Sequence, residues 1–197
     1  MIWALFCLCR HPDVQSKLRD EVRSRLPAPE QDIAAVQIDD CHYLHAVCLE
    51  VLRLYSPVST TLRVAACDTS INGQFVPKNT VVILSPWAVN TSTALWGADA
   101  HEFKPQRWLD ADGKANNKGG AESNFAFLTF LHGPRSCIGQ KFAQAEFACL
   151  LAAWVGRFET EFEEGSPLKN GEPDIGGGIT GKPKGGVWVS LKEVPGW

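Results

Sequence analysis

One loop constrains this chain more than any other stretch. Ahead of a long apolar segment runs Phe125-Ala-Phe-Leu-Thr-Phe130-Leu-His-Gly133-Pro-Arg135-Ser-Cys137-Ile-Gly139, in which five residues hold the spacing Phe130-x-x-Gly133-x-Arg135-x-Cys137-x-Gly139. Five identities at set offsets arise by chance on the order of once in ten million start positions at average residue usage. The apolar pattern that follows predicts a helix from about Ile138 to Phe158, with Phe142, Ala145, Phe147, Leu150, Leu151, Trp154 and Phe158 on a broad face. A cysteine between two glycines, directly before a helix, is thus the fixed point of the fold.

Each residue of the loop has a chemical reason. A helix N-terminus favours an anion, so a cysteine placed there is predisposed to act as a thiolate. A thiolate is a good axial ligand for haem iron. Gly133 and Gly139 permit tight backbone conformations and let a flat macrocycle come close to the chain. Phe130 is suited to shield the sulfur from water, which tunes the ligand. Arg135 offers a planar cation for a carboxylate such as a haem propionate. A structural cysteine in a Gly-Pro turn is the plainer reading of Cys137, and the surrounding residues disfavour it.

With 197 residues and 45% hydrophobic composition, the chain is long enough for one sizeable domain. Net charge is -3 and no basic block occurs, which argues against nucleic acid. The seven cysteines are an odd number, with no Cys-x-x-Cys pair, which speaks against a disulfide framework or a zinc site. Met1-Ile-Trp-Ala-Leu-Phe-Cys-Leu-Cys9 is apolar but shorter than the roughly 20 residues a membrane span requires, and it reads as the end of a core helix.

Taken in order, Arg10-His11-Pro12 breaks the first helix and starts a second, amphipathic through Val14, Leu18, Val22 and Leu26 and ended by Pro27-Ala-Pro29. A short helical piece near Ile33 to Val36 leads to Asp39-Asp40, expected to cap a largely apolar helix over Cys41 to Tyr55. Glu50 and Arg53 share one face of that helix, and its apolar character favours a buried ion pair over a surface one. Strands follow: an extended Thr60 to Val64, a hairpin over Thr69 to Val76 turning at Asn72-Gly73, and Val81 to Leu84 as a buried strand. Trp87 to Val89 suits a single helical turn, Ala111 to Glu122 a solvated loop, and Val187 to Leu191 a closing strand.

The cysteine loop resembles the haem-binding signature of the cytochromes P450, haem-thiolate monooxygenases, and the likeness extends along the chain. Glu50-Val-Leu-Arg53 is similar to the family's Glu-x-x-Arg pair, and Phe103-Lys-Pro105-Gln-Arg107-Trp108 to the segment that supplies a third charged member. Trp96-Gly97, Pro77-Lys-Asn-Thr80 and the tail over Gly177 to Val189 also fall in matching order. Thr129 stands where the family often has proline, and Gln106 where it often has glutamate. The resemblance is to a eukaryotic, fungal-like member. It implies a mainly α fold with a small mixed β-sheet, residues 1-197 being the C-terminal, haem-binding part of one domain whose N-terminal half is absent.

By that likeness Cys137 is the iron ligand of haem b (iron protoporphyrin IX), and Arg135 and Arg63 approach the propionates. Glu50, Arg53 and Arg107 form a structural triad, while Val58, Thr60, Thr61 and Ile179 face the substrate. The implied activity is insertion of one oxygen atom from O2 into a small apolar organic substrate, with electrons from NADPH-cytochrome P450 reductase or a similar donor. The implied location is the cytosolic face of the endoplasmic reticulum membrane, reached only through the missing N-terminus. The oxygen-activating pair of the family lies upstream of Met1. A non-catalytic fragment and a haem-thiolate isomerase or dehydratase therefore stay open beside the monooxygenase.

Overall fold

The computed structural model describes residues 1–27 and 31–197. Seven helices and four small sheets alternate along the described chain, helices first and paired strands in the middle and at the end. Helix α1 (Ile2–Arg10) and helix α2 (Pro12–Arg25) meet at His11, with Pro12 in the first turn of α2 as expected. Helix α2 ends at Arg25; of the proline pair expected to end it, Pro29 lies outside the described residues.

Helix α3 (Ala35–Asp39) is a short link to helix α4 (His42–Leu54), which carries Glu50 and Arg53. The expected cap at Asp39-Asp40 is not formed: Cys41 is the N-cap and makes no side-chain capping bond. Instead the carboxylate of Glu21, on α2, accepts hydrogen bonds from the backbone N–H groups of Tyr43 (2.9 Å) and Leu44 (2.8 Å). A helix start needs an acceptor for its free amides, and an acidic group there also complements the helix dipole.

Four two-stranded antiparallel pieces replace the single mixed sheet expected from the sequence. Strand β1 (Thr61–Val64) pairs with β4 (Val81–Leu84), and β2 (Thr69–Ile71) with β3 (Gln74–Val76). The Asn72-Gly73 turn between β2 and β3 has both residues at positive φ, 48° and 78°, as a tight hairpin of this chemistry requires. Strand β4 is a strand but not a buried one: Val81 and Ile83, with Val64 and Leu62 opposite them, lie exposed on one face. Further on, β5 (Phe158–Phe162) pairs with β8 (Val189–Glu193), and β6 (Ile175–Gly176) with β7 (Lys182–Pro183).

Between these sheets lie the short helices α5 (Pro86–Asn90) and α6 (Thr93–Trp96) and the long helix α7 (Gln140–Arg157). The main core joins α1, α2, α4 and α7 through Leu8, Leu18, Leu44, Val47, Leu151 and Val155. Trp3 stacks on Tyr55 with ring centroids 4.3 Å apart, closing that core at one edge. Helix α7 buries Ala148, Leu151, Ala152 and Val155, a narrower face than its apolar residues suggested; Phe142 and Leu150 point outward and are exposed. None of the described helices is long and apolar enough to cross a membrane.

A second, smaller core gathers Trp96, Trp108, Ala100, Ala121 and Ala126 around Ala46 and Leu49 of α4. Part of the stretch read as a solvated loop belongs to it. Gly119, at φ +60°, lies against both tryptophans, so close that a Cβ there would sit 2.8 Å from Trp96 and 3.0 Å from Trp108.

Candidate functional site

Two arrangements define the site: a buried charge cluster on α4 and an open cysteine loop next to it. In the cluster, Glu50 and Arg53 are both completely buried, so the pair is not a surface one. They bond in a two-pronged fashion, Nε to Oε2 and Nη2 to Oε1, each at 2.8 Å. Arg107, from a 3-10 turn at Pro105–Trp108, donates through Nε to Glu50 Oε1 at 2.9 Å. The Lys104 N–H adds a bond to Oε1 (2.9 Å), and the Trp108 indole N–H one to Oε2 (2.8 Å).

The remaining donors of Arg53 are also satisfied. Its Nη1 bonds the carbonyls of Asn90 (2.8 Å) and Ala100 (2.6 Å), and its Nη2 that of Glu102 (3.1 Å). With five bonds to the carboxylate, and all five guanidinium donors of Arg53 used, two buried charges are held without an orphan, the condition for tolerating them at all. The Arg53 guanidinium also sits over the Trp96 ring, 4.9 Å from its centroid. At the outer edge Arg107 and Lys104 meet Asp99, whose carboxyl is held below its usual range by the Lys104 hydrogen bond first and by Arg107 as well.

The cysteine loop adjoins this cluster, with the Thr129 hydroxyl donating to the Leu52 carbonyl of α4 at 2.8 Å. Cys137 is exposed, and its thiol opens into a cavity of about 220 Å³. Phe130, Leu131 and Arg135 share that cavity from the loop itself. Opposite them stand Pro57, Val58 and Thr61, at the entry to β1, with Pro86 beside them. The loop is shaped by a short 3-10 turn, Gly133–Arg135, and by the Cys137 N–H donating to the Phe130 carbonyl at 2.8 Å. Gly133, at φ +77°, has no atom within 4 Å of where a side chain would begin, and for Gly139 the nearest atom is the Cys137 sulfur at 3.9 Å. Helix α7 starts at Gln140, three residues after the cysteine rather than at the next one.

Leu131 adopts φ +59°, a left-handed conformation that costs a non-glycine residue roughly 1–2 kcal/mol. It does so beside the thiol, where local strain tends to be stored at a site that the surrounding structure over-determines. Ile138 is completely exposed, with relative exposure 105%, next to the cysteine.

Of the other residues singled out in the sequence, Val58 and Thr61 share the thiol cavity, whereas Thr60 turns the other way. Thr60 lines a separate cavity of about 270 Å³ with Trp3, Tyr55, Ser59 and Trp87. Ile179, 87% exposed, lines neither. Arg63 is not a wall of the thiol cavity either; its Nη1 donates to the Thr61 hydroxyl at 3.2 Å.

Sequence reasoning missed Asn90, Thr129 and Leu131. Asn90 is an uncharged residue on a five-residue helix, and no spacing pointed to it; Thr129 was noted only as a departure from a proline. The burial of Asn90, the hydrogen bonds of Asn90 and Thr129, and the positive φ of Leu131, which single sequences do not display, are what distinguish them.

The donor set fits a haem. A soft thiol stands open to a flat ligand, with apolar walls from Phe130, Leu131, Val58 and Pro57. The guanidinium of Arg135 makes no ion pair among the described residues and so is available to an acidic group. Against known proteins, residues 1–188 match the family model of cytochrome P450. The chain is 52% identical over 200 residues to cytochrome P450 monooxygenase sphH of Aspergillus fumigatus, an alignment covering 99% of this chain and 36% of that protein. It is 40% identical over 230 residues to cytochrome P450 monooxygenase ALT8 of Alternaria alternata, covering 100% of this chain and 38% of that one. To cytochrome P450 monooxygenase buaD of Petromyces alliaceus it is 38% identical over 205 residues, covering 99% and 37% respectively. The chain thus spans a little over a third of the length of these curated relatives. A cysteine loop, a saturated carboxylate–arginine cluster and a family match over nearly every residue lead to one assignment: the chain belongs to the cytochrome P450 family.

Proposed function

We propose that this chain is the C-terminal, haem-binding part of a haem-thiolate monooxygenase, with Cys137 as the thiolate ligand of haem b. The carrying observation is the exposed Cys137 sulfur sharing one cavity with Arg135 and with apolar walls from two separate segments. Bound haem supplies the oxygen activation and the one-electron chemistry that no side chain provides. The chain's own residues hold and orient it. Cys137 presents the sulfur, and Phe130 and Leu131 supply apolar walls beside it, surroundings that tune a metal ligand. Arg135, in the cavity wall, would pair with one propionate, and Arg63, whose Nη1 donates to the Thr61 hydroxyl, would serve the other.

On the opposite wall Val58 and Thr61 present an apolar surface with one hydroxyl, suited to a small apolar substrate. The Glu50–Arg53–Arg107 cluster contributes rigidity and touches none of the reacting atoms. Electrons come from NADPH-cytochrome P450 reductase or a similar donor. The relatives are themselves named monooxygenases, which supports the reaction class for the whole protein. For the whole protein the proposed location is the cytosolic face of the endoplasmic reticulum membrane.

The test is the ferrous–carbonyl absorption spectrum of the haem-loaded protein. The parent and a Cys149→Ala control, changed at another exposed cysteine, show the band of thiolate ligation, and Cys137→Ala does not. A Cys137→Ala protein that keeps the band overturns the assignment. Turnover that requires NADPH and reductase supports oxygenation, and activity independent of both points to an isomerase or dehydratase instead.

A further inference from the structure

We infer that Asn90 and Thr129 are positioning residues for Cys137, carrying the placement of the buried charge cluster to the turn that presents the thiol. The functional meaning of this role rests on Cys137 as the haem ligand. Asn90, the last residue of α5, is fully buried and uses every polar atom of its side chain. Its amide nitrogen donates to the Arg53 carbonyl (3.1 Å) and to the Thr129 hydroxyl (2.7 Å). Its amide oxygen accepts from the Leu128 N–H at 2.7 Å. On the backbone, the Asn90 carbonyl accepts from Arg53 Nη1 at 2.8 Å.

Thr129 completes the tie by donating its hydroxyl hydrogen to the Leu52 carbonyl at 2.8 Å. Two consecutive residues of the loop, Leu128 and Thr129, are therefore fastened to the last turn of α4. The next bonds lead to the sulfur. The Leu131 N–H donates to the Leu128 carbonyl (2.9 Å), and the Cys137 N–H to that of Phe130 (2.8 Å). Hydrogen bonds joined by short stretches of the loop's own backbone thus link Glu50 and Arg53, through Asn90 and the Leu128–Thr129 pair, to Cys137. The same anchors hold Leu131 in its unfavourable left-handed conformation. A ligand sulfur must be kept within about half an ångström of its productive position, so partners of this kind matter as much as the ligand itself.

The experiment compares Thr129→Val, which deletes both bonds at nearly constant volume, with Thr129→Ser, which restores the hydroxyl. Thr160→Val serves as the control, because Thr160 is buried and its hydroxyl accepts a hydrogen bond from the Trp154 indole N–H (2.8 Å), far from the loop in sequence. In the haem-free protein, hydrogen–deuterium exchange over residues 126–138 is expected to quicken about tenfold in Thr129→Val, the factor that the loss of a buried hydrogen bond brings. Thr129→Ser and Thr160→Val leave that segment close to the parent. No acceleration in Thr129→Val, or an equal one in Thr160→Val, overturns the inference. In the haem-loaded protein the thiolate-type ferrous–carbonyl band decays faster in Thr129→Val than in Thr129→Ser; equal decay also overturns it. A parent with no Cys137-dependent band refutes the ligand assignment instead, and exchange in the haem-free protein reports that failure separately.

Discussion

Replacing Glu50 by glutamine is the sharpest probe of the buried cluster, because the shape is kept while the charge and half of the acceptor capacity are lost. The carboxylate accepts from Arg53 Nη2, Lys104 N and Arg107 Nε at one oxygen, and from Arg53 Nε and Trp108 Nε1 at the other. A glutamine amide turned either way sets an NH2 group against N–H donors, two of them in the better orientation and three in the other. Each orphaned buried donor costs about 1–3 kcal/mol. Beyond that, Arg53 is left as a completely buried cation without its counter-charge, and breaking such a pair from one side costs about 3–5 kcal/mol. The two figures overlap, so the expected loss for Glu50→Gln is about 4 kcal/mol, a large share of the 5–15 kcal/mol that typically holds a domain together. Glu159→Gln, which removes a surface pair to Lys192, is expected to cost less than about 1 kcal/mol. Urea unfolding with matched slopes measures both. If the two variants unfold at the same midpoint, the cluster is not the anchor that its bonding suggests.

Three further outcomes are accessible to simple measurements. Iodoacetamide at pH 8 is expected to modify Cys67, Cys137 and Cys149 first, by mass spectrometry, whereas Cys7 and Cys48 wait for unfolding because burial raises their pKa values and hides them. Cys9 and Cys41, whose thiols burial pushes up to about 12 and about 11, react later than the exposed three. Gly119→Ala places a Cβ against Trp96 and Trp108 at a positive φ, and is expected to cost about 2–4 kcal/mol in thermal or urea unfolding, summing overpacking and backbone strain. The depressed carboxyl of Asp99 adds stability above its ordinary pKa of 3.8, and that contribution fades as pH falls below it through the lowered folded value. In Asp99→Asn the acid-induced loss of stability is correspondingly shallower, measured from unfolding midpoints between pH 5 and about pH 2.

What the sequence revealed, and what it hid, divides by range. The cysteine loop is legible because Phe130, Gly133, Arg135 and Cys137 act within eight residues, and the Asn72-Gly73 hairpin because its turn chemistry is local. Glu50 and Arg53 are visible as an i,i+3 pair, and an apolar helix around them suffices to foresee burial. Arg107, 57 residues from Glu50, entered only through family resemblance, since no periodicity spans that distance. Local reading failed where a distant partner decides the outcome. Asp39 and Asp40 have the right chemistry for a cap but are displaced from that role by Glu21. The apolar run Val81 to Leu84 shows that a strand favours cover, yet the pairing with β1 leaves one face of both strands open. Phe142 and Leu150 make the same point on α7: apolar residues lie on several sides of that helix, and only those facing α2 and α4 are covered.

The Glu21 carboxylate gives the cluster-bearing helix an unusual dependence. The first amides of α4 are satisfied by a side chain 22 and 23 positions earlier, on a helix that must already lie alongside. A peptide of residues 41–55 alone would fray at its leading end, because nothing within it supplies the missing acceptor. Laying α2 against α4 and winding the opening turn of α4 are therefore one event. An injury to the early helix is felt about two to three turns further along, where Glu50 and Arg53 must come into register.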